Sequence, residues 1–174
     1  MKYFREKTAL IKDSKIGDGS KIWNYVNIYG SIIGKYCTIG SYTEIQNDVI
    51  IGNNVTISSH SFICSMVVVE DDVFIGHGVM TINDSNPPSF RKTGTKDQWK
   101  PIIIKKGAII GSNATIFPVV IGENAKIGAN AVVTKDVPNN AVMIGIPARN
   151  VGTTSNEFKP YAVTEDSKEI SNEE

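Results

Sequence analysis

Aliphatic side chains recur every six residues through most of this chain of 174 residues. In the longest uninterrupted run, eight aliphatic residues and one threonine stand six apart: Ile33, Ile39, Ile45, Ile51, Ile57, Ile63, Val69, Ile75 and Thr81. An amphipathic helix needs apolar residues at intervals of three and four, so this spacing excludes one. Six is an even number, which suits short strands whose alternate side chains face one interior.

Glycine often follows the aliphatic residue, as in "IGKYCT", "IGSYTE" and "IGNNVT". Two slips of one residue interrupt the period, from Ile28 to Ile33 and from Ile116 to Ile121. Strands punctuated in this way predict a solenoid with corners that can lose one residue. A sandwich of short strands is the alternative, but it does not explain the constant spacing.

Three six-residue rungs would make a triangular coil of about 18 residues, so that positions 18 apart stack at the sheet spacing of about 4.8 Å. We expect roughly seven coils between Ile11 and Val137. Two interior ladders follow from this register: Ile33, Ile51 and Val69 form one, and Ile39, Ile57 and Ile75 form the next.

The composition argues against several classes of binding partner. Eighteen basic and eighteen acidic side chains give zero formal charge, which favours neither nucleic acid nor an anionic membrane. Cys37 and Cys64 lie in apolar-periodic stretches and do not form a disulfide framework. No apolar stretch reaches the roughly 20 residues needed to span a bilayer. We therefore expect a cytoplasmic protein without nucleic-acid binding or membrane insertion.

The repeats and the closing segment "VVTKDVPNNAVMIGIPARNV" together resemble the hexapeptide-repeat acyltransferases. In that family "TKDVP" is followed by "G-x-P-A-[KR]", as here. The resemblance implies an all-β fold, a left-handed parallel β-helix, although crossover connections are otherwise right-handed in about 98% of cases. It implies an acyltransferase domain over residues 1–151 with a loop extruded at about 84–102. Residues 152–174 lack the period, and we expect a flexible tail.

The segment "FICSMVVVEDDVFIGHGVMTINDSNP", residues 62–87, is similar to family members that acetylate amino groups on nucleotide-linked sugars. Those members supply bacterial surface polysaccharides. The similarity implies acetyl-CoA as cosubstrate and a dTDP- or UDP-linked amino sugar as acceptor. It also implies a homotrimer with its sites in clefts between neighbouring prisms.

Asn83, His60 and His77 are the candidate catalytic residues. In an 18-residue coil His60 lies one coil below Gly78, so we expect both imidazoles at one edge, close to Asn83. One histidine would accept a proton from the amine or orient the group that does. Asn83 matches an asparagine of the family and would donate to the oxyanion or hold the amine. Corner histidines bonded to backbone, and an Asx turn at Asn83, remain open alternatives.

The excursion "SNPPSFRKTGTKDQWKP", residues 85–101, carries several basic side chains and an aromatic one. We expect a lid over a nucleotide diphosphate, with Asp84, Arg91 and Trp99 as acceptor-binding residues. A solvated loop that packs on the next subunit is the alternative. Trp23 stands where glycine usually does, so it points outward, and either the acceptor nucleotide or the trimer seam could use it.

Acetyl-CoA would lie along the later coils, where small residues let the backbone approach the pantetheine arm. We expect Gly111, Ser112, Gly128 and Ala129 to line this path. The resemblance further implies that Lys135 and Arg149 bind the CoA phosphates and that Pro147 lies against the adenine.

Three other functions remain. Sugar O-acetyltransferases of this fold carry a catalytic histidine before a proline, where this chain has Asn86 before Pro87. A hydroxyl needs a base to become a nucleophile, whereas a neutral amine already has its lone pair. A zinc carbonic anhydrase of this fold needs three histidines, and this chain has two, so no metal site is expected. A non-catalytic trimeric scaffold is the third alternative.

Overall fold

A computed structural model describes residues 3–87 and 97–154, which form a solenoid of three β-sheets. Sheet A has nine strands, in the order β1 (Phe4–Arg5), β4 (Lys21–Ile22), β7 (Thr38–Ile39), β10 (Thr56–Ile57), β13 (Phe74–Ile75), β16 (Ile109–Ile110), β19 (Lys126–Ile127), β21 (Ala141–Ile144) and β22 (Arg149–Thr153). Its pairs are parallel except the last, because β22 folds back antiparallel on β21.

The other two sheets are parallel throughout. Sheet B has seven strands: β2 (Leu10–Lys12), β5 (Asn27–Tyr29), β8 (Glu44–Ile45), β11 (Phe62–Ile63), β14 (Met80–Thr81), β17 (Thr115–Ile116) and β20 (Val132–Val133). Sheet C has six: β3 (Lys15–Ile16), β6 (Ile32–Ile33), β9 (Ile50–Ile51), β12 (Val67–Val69), β15 (Ile102–Ile104) and β18 (Val120–Ile121). From β1 to β20 the chain adds strands to sheets A, B and C in turn, and β21 and β22 both extend sheet A, so the predicted all-β solenoid is confirmed.

The interior ladders follow the six-residue period. Ile33 pairs with Ile51 and Ile51 with Val69 in sheet C, while Ile39, Ile57 and Ile75 stack in sheet A. All six side chains are at most 2% exposed. Burying an aliphatic side chain of this size contributes about 1.5–3 kcal/mol, so the ladders form the stabilising core. Both predicted ladders are confirmed.

The uninterrupted six-residue run ends in sheet B at its one polar member, Thr81, which is 1% exposed. Its Oγ1 accepts a hydrogen bond from the Cys64 N–H at 2.8 Å and donates to the Phe62 carbonyl at 3.0 Å. A buried hydroxyl is costly unless it is bonded, and this one is bonded on both sides. Thr81 therefore occupies an interior position of sheet B, beside Ile116 of the next coil, at the point where the chain leaves the regular pattern.

The three edges of the prism differ in regularity. We name them by the sheets they join in chain order: the A/B edge, the B/C edge and the C/A edge. Inward residues are six apart across every A/B and C/A edge, as from Ile22 to Ile28 and from Ile33 to Ile39. Across the B/C edge the step is five from Ile28 to Ile33, and the residues from Thr81 to Ile104 form the excursion. The predicted corner slips are confirmed, and all lie on the B/C edge.

The C-terminal end of the solenoid is closed by the hairpin of β21 and β22, which extends through Thr153. The predicted tail begins at residue 152, but Gly152 and Thr153 belong to β22 and Thr154 follows them; the rest of the tail, from residue 155 onward, lies outside the described residues. Within residues 3–87 and 97–154 there is no helix long and apolar enough to cross a bilayer.

Candidate active site

A column of stacked residues runs along the A/B edge, and we name the surface over it the A/B trough. Its floor is a column of the smallest residues above one large one, linked coil to coil by main-chain hydrogen bonds: Trp23, Gly40, Ser58, Gly76, Gly111 and Gly128. Five coil steps separate its ends, a length of about 24 Å at the sheet spacing. Small side chains along this edge would let an extended ligand approach the backbone over several coils.

Most of the predicted cofactor residues lie together on this edge. Gly111, Ser112, Gly128 and Ala129 occupy its upper corners, and the loop that carries Pro147 begins at Gly145, whose carbonyl accepts from the Val132 N–H at 3.1 Å. A Cβ at Gly111 would lie 2.5 Å from the Ala129 nitrogen. Coil stacking alone therefore requires that glycine, whether or not a ligand approaches it.

The two charged cofactor candidates are separated. Arg149 begins β22 beside Ile144, at the C-terminal end of the A/B edge, and its side chain is exposed. Lys135 follows β20 and is therefore on the B/C edge, also exposed. Within one protomer these two cations cannot flank the same trough.

His60 and His77 both lie on the A/B edge, as predicted. Gly78 stands one coil above His60, since its N–H donates to the Ser59 carbonyl at 3.0 Å. The His60 ring does not stack on His77 but lies against Tyr42, with 4.9 Å between centroids and 12° between planes. Tyr42 in turn stacks on Tyr25 at 5.0 Å. The exposed imidazole of His60 thus ends a column of three stacked rings.

Asn83 belongs to a different part of the molecule. It lies on the B/C edge and is 8% exposed. A cavity of about 460 Å³ opens beside it, lined by Gln46, Phe62, Cys64, Met80, Thr81, Ile82, Asn83, Asp84, Pro87 and Trp99. Two of the predicted acceptor residues, Asp84 and Trp99, thus share the cavity with Asn83. The third, Arg91, lies outside the described residues.

The expected closeness of the histidines to Asn83 is wrong within one protomer. His77 precedes β14 and Asn83 follows it, so they stand at opposite ends of a sheet-B rung. Six residues of extended chain with one corner separate them by on the order of 15 Å. A six-residue step moves a side chain from one edge of the prism to the next.

The side chain of Asn83 has a fixed orientation. Its Nδ2 donates to the Ser65 carbonyl at 3.1 Å, and because a carbonyl only accepts, the amide oxygen must face away from it. No donor within the described segments bonds that oxygen. The Asx turn considered for Asn83 is made by its neighbour instead, since Asp84 Oδ1 accepts from the Asn86 N–H at 3.1 Å.

A chain of hydrogen bonds holds the partner of Asn83 in place. The Ser65 N–H donates to Gln46 Oε1 at 3.2 Å, and Gln46 Nε2 donates to Glu44 Oε1 at 3.3 Å. The Tyr29 hydroxyl also donates to Glu44 Oε1, at 3.0 Å. Burial and this bond to Glu44 raise the pKa of Tyr29, which keeps the hydroxyl a donor. The sequence prediction missed Gln46 and Glu44.

Cys64 forms part of the cavity wall. Burial raises the pKa of its thiol, so the side chain stays protonated near neutral pH. A protonated thiol is a poor nucleophile, which disfavours an acyl-cysteine intermediate here. Among the described residues, no group of three His, Cys, Asp or Glu side chains is arranged to hold a metal ion.

Two family models match the chain. The model described as the GMPPB C-terminal domain matches residues 5–72, and the model described as the hexapeptide repeat of succinyl-transferase matches residues 101–135. The second match spans β15 to β20, which include the strands that flank the A/B edge at Gly111 and Gly128. The chain is a hexapeptide-repeat protein. Its fold is accordingly the left-handed parallel β-helix that the resemblance implied.

This hexapeptide-repeat protein is 30% identical over 168 residues to the bifunctional protein GlmU of Thermodesulfovibrio yellowstonii; the match covers 82% of the chain and 30% of that relative. It is 26% identical to WeeI from Acinetobacter baumannii, with a TM-score of 0.56, covering 84% of the chain and 57% of WeeI. It is 23% identical to AntD, an N-acyltransferase from Bacillus cereus, with a TM-score of 0.54, covering 87% of the chain and 79% of AntD. The chain thus spans less than a third of the length of GlmU.

Proposed function

We propose that this protein is an acetyl-CoA-dependent N-acetyltransferase that acts on the amino group of a dTDP- or UDP-linked amino sugar, in the cytoplasm, for surface polysaccharide synthesis. AntD is described in complex with dTDP and 3-hydroxybutyryl-CoA, and a variant of it with dTDP-4-amino-4,6-dideoxyglucose and coenzyme A. The likeness to AntD is one of fold. The observation that carries the proposal is the orientation of Asn83.

Asn83 presents an acceptor to its cavity, because its Nδ2 is bonded to Ser65. An acceptor suits the N–H of an incoming amine better than it suits an oxyanion, which needs a donor. A neutral amine needs no base before it attacks. This favours N-acetylation over O-acetylation at this edge.

The proposed reaction transfers the acetyl group directly from CoA to the amine. The amine nitrogen attacks the thioester carbonyl carbon, a C–N bond forms, and the C–S bond breaks. The amine proton passes to an imidazole or to water, and the departing CoA thiolate is protonated to the free thiol. His77 is the better placed imidazole, since it stands beside the trough in which the pantetheine arm would lie.

A composite site would reunite the separated residues. In a threefold assembly with sheet B facing the axis, the A/B edge of one protomer meets the B/C edge of the next. His77 and the small residues of one copy would then face Asn83, Asp84 and Trp99 of its neighbour. Lys135 would likewise complete the cation pair with Arg149 for the CoA phosphates. The homotrimer is therefore part of the proposal, as is the contribution of Arg91 to the diphosphate.

The test compares an amino sugar with its hydroxyl counterpart on the same nucleotide, following release of the CoA thiol. Thiol release is expected with dTDP-4-amino-4,6-dideoxyglucose or a related dTDP- or UDP-amino sugar, and not with the hydroxyl analogue. Release with the hydroxyl compound alone would establish O-acetylation. Absence of CoA binding in calorimetry would establish the scaffold.

A further inference from the structure

A second cavity, of about 360 Å³, lies where sheet A meets the A/B edge. It extends from Trp23 below to His77 above, and between them its wall is rich in hydroxyl groups: Thr38, Ser41, Thr56, Ser58 and Ser59. The cavity is distinct from the one beside Asn83, which lies on the B/C edge. No role assigned so far to the trough explains an indole at its lower end.

Trp23 breaks the column of small residues at the lower end of this cavity. Its main-chain N–H donates to the Ile39 carbonyl at 3.0 Å, as the main-chain N–H of Gly40 does to the Ile57 carbonyl one coil higher. The indole is 39% exposed, and Phe4 packs against it with ring centroids 5.9 Å apart at 63°. An aromatic ring that is braced on one side and open on another provides a stacking surface for a planar group.

The distance between Trp23 and His77 along the A/B edge indicates which planar group would stack on the indole. Trp23 lies three coil steps below Gly76 and its neighbour His77, a distance of about 14 Å at the sheet spacing. In a nucleotide-linked amino sugar, a pyranose ring, a diphosphate and a ribose separate the amine from the base, which is a comparable length. An amine that reacts beside His77 therefore leaves the base, and not the sugar, at the level of Trp23.

We propose that Trp23 stacks on the nucleobase of the acceptor, with the hydroxyls of Ser41, Ser58 and Ser59 beside its diphosphate. Small hydroxyl side chains admit a diphosphate and donate hydrogen bonds to its oxygens. Base stacking on an aromatic side chain tolerates different bases, because every base has a flat face. This inference rests on the proposed function for the position of the amine, and it assigns the outward-pointing Trp23 to the acceptor.

Binding without turnover tests the assignment directly. The chain has two tryptophans, so 5-fluorotryptophan labelling gives two ¹⁹F resonances, which single Trp→Phe variants assign. Added dTDP and UDP should each shift the Trp23 resonance, whereas glucosamine 1-phosphate, which has no base, should not. If CoA alone shifts the Trp23 resonance, the cavity binds the cofactor, and the proposal is overturned. A shift caused by the sugar phosphate, or none with either nucleotide, would overturn it as well.

Kinetics give the second measurement. Trp23→Ala should raise KM for the nucleotide-linked amino sugar about 5- to 150-fold, the range expected for loss of one base–aromatic stack. KM for acetyl-CoA should not change, and Trp23→Phe should recover most of the loss. Tyr36→Ala is the matched control, because Tyr36 is 65% exposed on the C/A edge. An unchanged acceptor KM in Trp23→Ala would overturn the assignment while leaving N-acetylation intact. If dTDP and UDP shift the Trp23 resonance but no acetyl transfer is detected, the assignment of Trp23 stands and N-acetylation is contradicted.

Discussion

The side-chain amide of Asn83 donates to the main-chain carbonyl of Ser65 in the coil below, with 3.1 Å between Nδ2 and the oxygen. Asn83→Asp replaces that donor by a carboxylate oxygen facing a carbonyl oxygen. We expect the aspartate to turn away and kcat to fall about 10²- to 10³-fold, as when a positioned polar group is lost from an acyl-transfer site. Asn124→Asp, an exposed change on the C/A edge, should leave kcat unaltered. Full activity in a folded Asn83→Asp enzyme would contradict the proposed role.

Gln46 should act through Asn83. Gln46→Met keeps the length of the side chain but removes both its bond from the Ser65 N–H and its bond to Glu44. We expect kcat for the amine acceptor to fall about tenfold with an unchanged KM for acetyl-CoA, since an interaction of about 1.4 kcal/mol is worth that factor. In an Asn83→Ala background the same change should have no further effect.

The control for Gln46 is Asn53→Leu on the C/A edge, which likewise removes a bond from a main-chain N–H, that of Lys35 at 2.9 Å, and an amide–carboxylate bond, from Asn53 Nδ2 to Asp71 at 3.2 Å. Additive losses in the Gln46 and Asn83 double variant would show that Gln46 does not work through Asn83.

Mixed assemblies should recover activity. His77→Ala damages the A/B edge and Asn83→Ala the B/C edge, so each variant alone should be nearly inactive. When the two are unfolded together and refolded at equal amounts, about a quarter of the sites in a cyclic trimer pair two intact edges. Activity per site should therefore return to about a quarter of wild type. Recovery no greater than the sum of the two variants would refute the composite site.

Alkaline pH should destabilise the fold. Burial raises the pKa of Cys37, whose thiol also donates to the Gly52 carbonyl at 3.1 Å. A raised pKa in the folded state means stability that is complete below the unfolded pKa, about 8.5–9, and is lost as the pH rises through the folded value. The free energy of unfolding in urea should fall between pH 8 and pH 10.5. The decline should be smaller in Cys37→Ala, and an identical decline would exclude Cys37 as a source.

Edges should differ in their tolerance of insertions. One glycine inserted after Pro118, on the B/C edge, lengthens a step that already varies. The same insertion after Ser112, on the A/B edge, displaces β17 by one residue and turns Ile116 outward, which would cost about 2–5 kcal/mol of core burial. Urea unfolding midpoints should therefore drop much further for the A/B insertion. Equal drops would show that the edges are equivalent.

Much of the fold follows from the spacing of Ile33, Ile39 and their successors, because an even period and a triangular coil leave little choice of register. The hand of the coil does not follow, since nothing in the spacing distinguishes left from right; the family resemblance supplied it. The separation of His77 from Asn83 was implicit in the numbers, because six residues make one full side. The prediction that the two side chains are close is wrong because residues six apart in the chain stand on different edges of the prism.

The support around Asn83 could not be derived in the same way. Tyr29 and Glu44 are 15 residues apart, and Gln46 and Ser65 are 19 apart. These intervals differ from 18 because side chains reach across the B/C edge, where the coil length itself varies. Only coordinates show which polar groups meet there.

Because only the B/C edge is irregular, the molecule has one edge with constant residue spacing, the A/B edge, and one whose length can vary, the B/C edge. On the A/B edge every coil adds the same increment, so an extended ligand laid along it meets equivalent backbone groups at equal intervals. On the B/C edge residues can be added or lost while the other two edges keep their register. Insertions and deletions at the B/C edge can therefore reshape the cavity beside Asn83 while the spacing along the A/B trough stays the same.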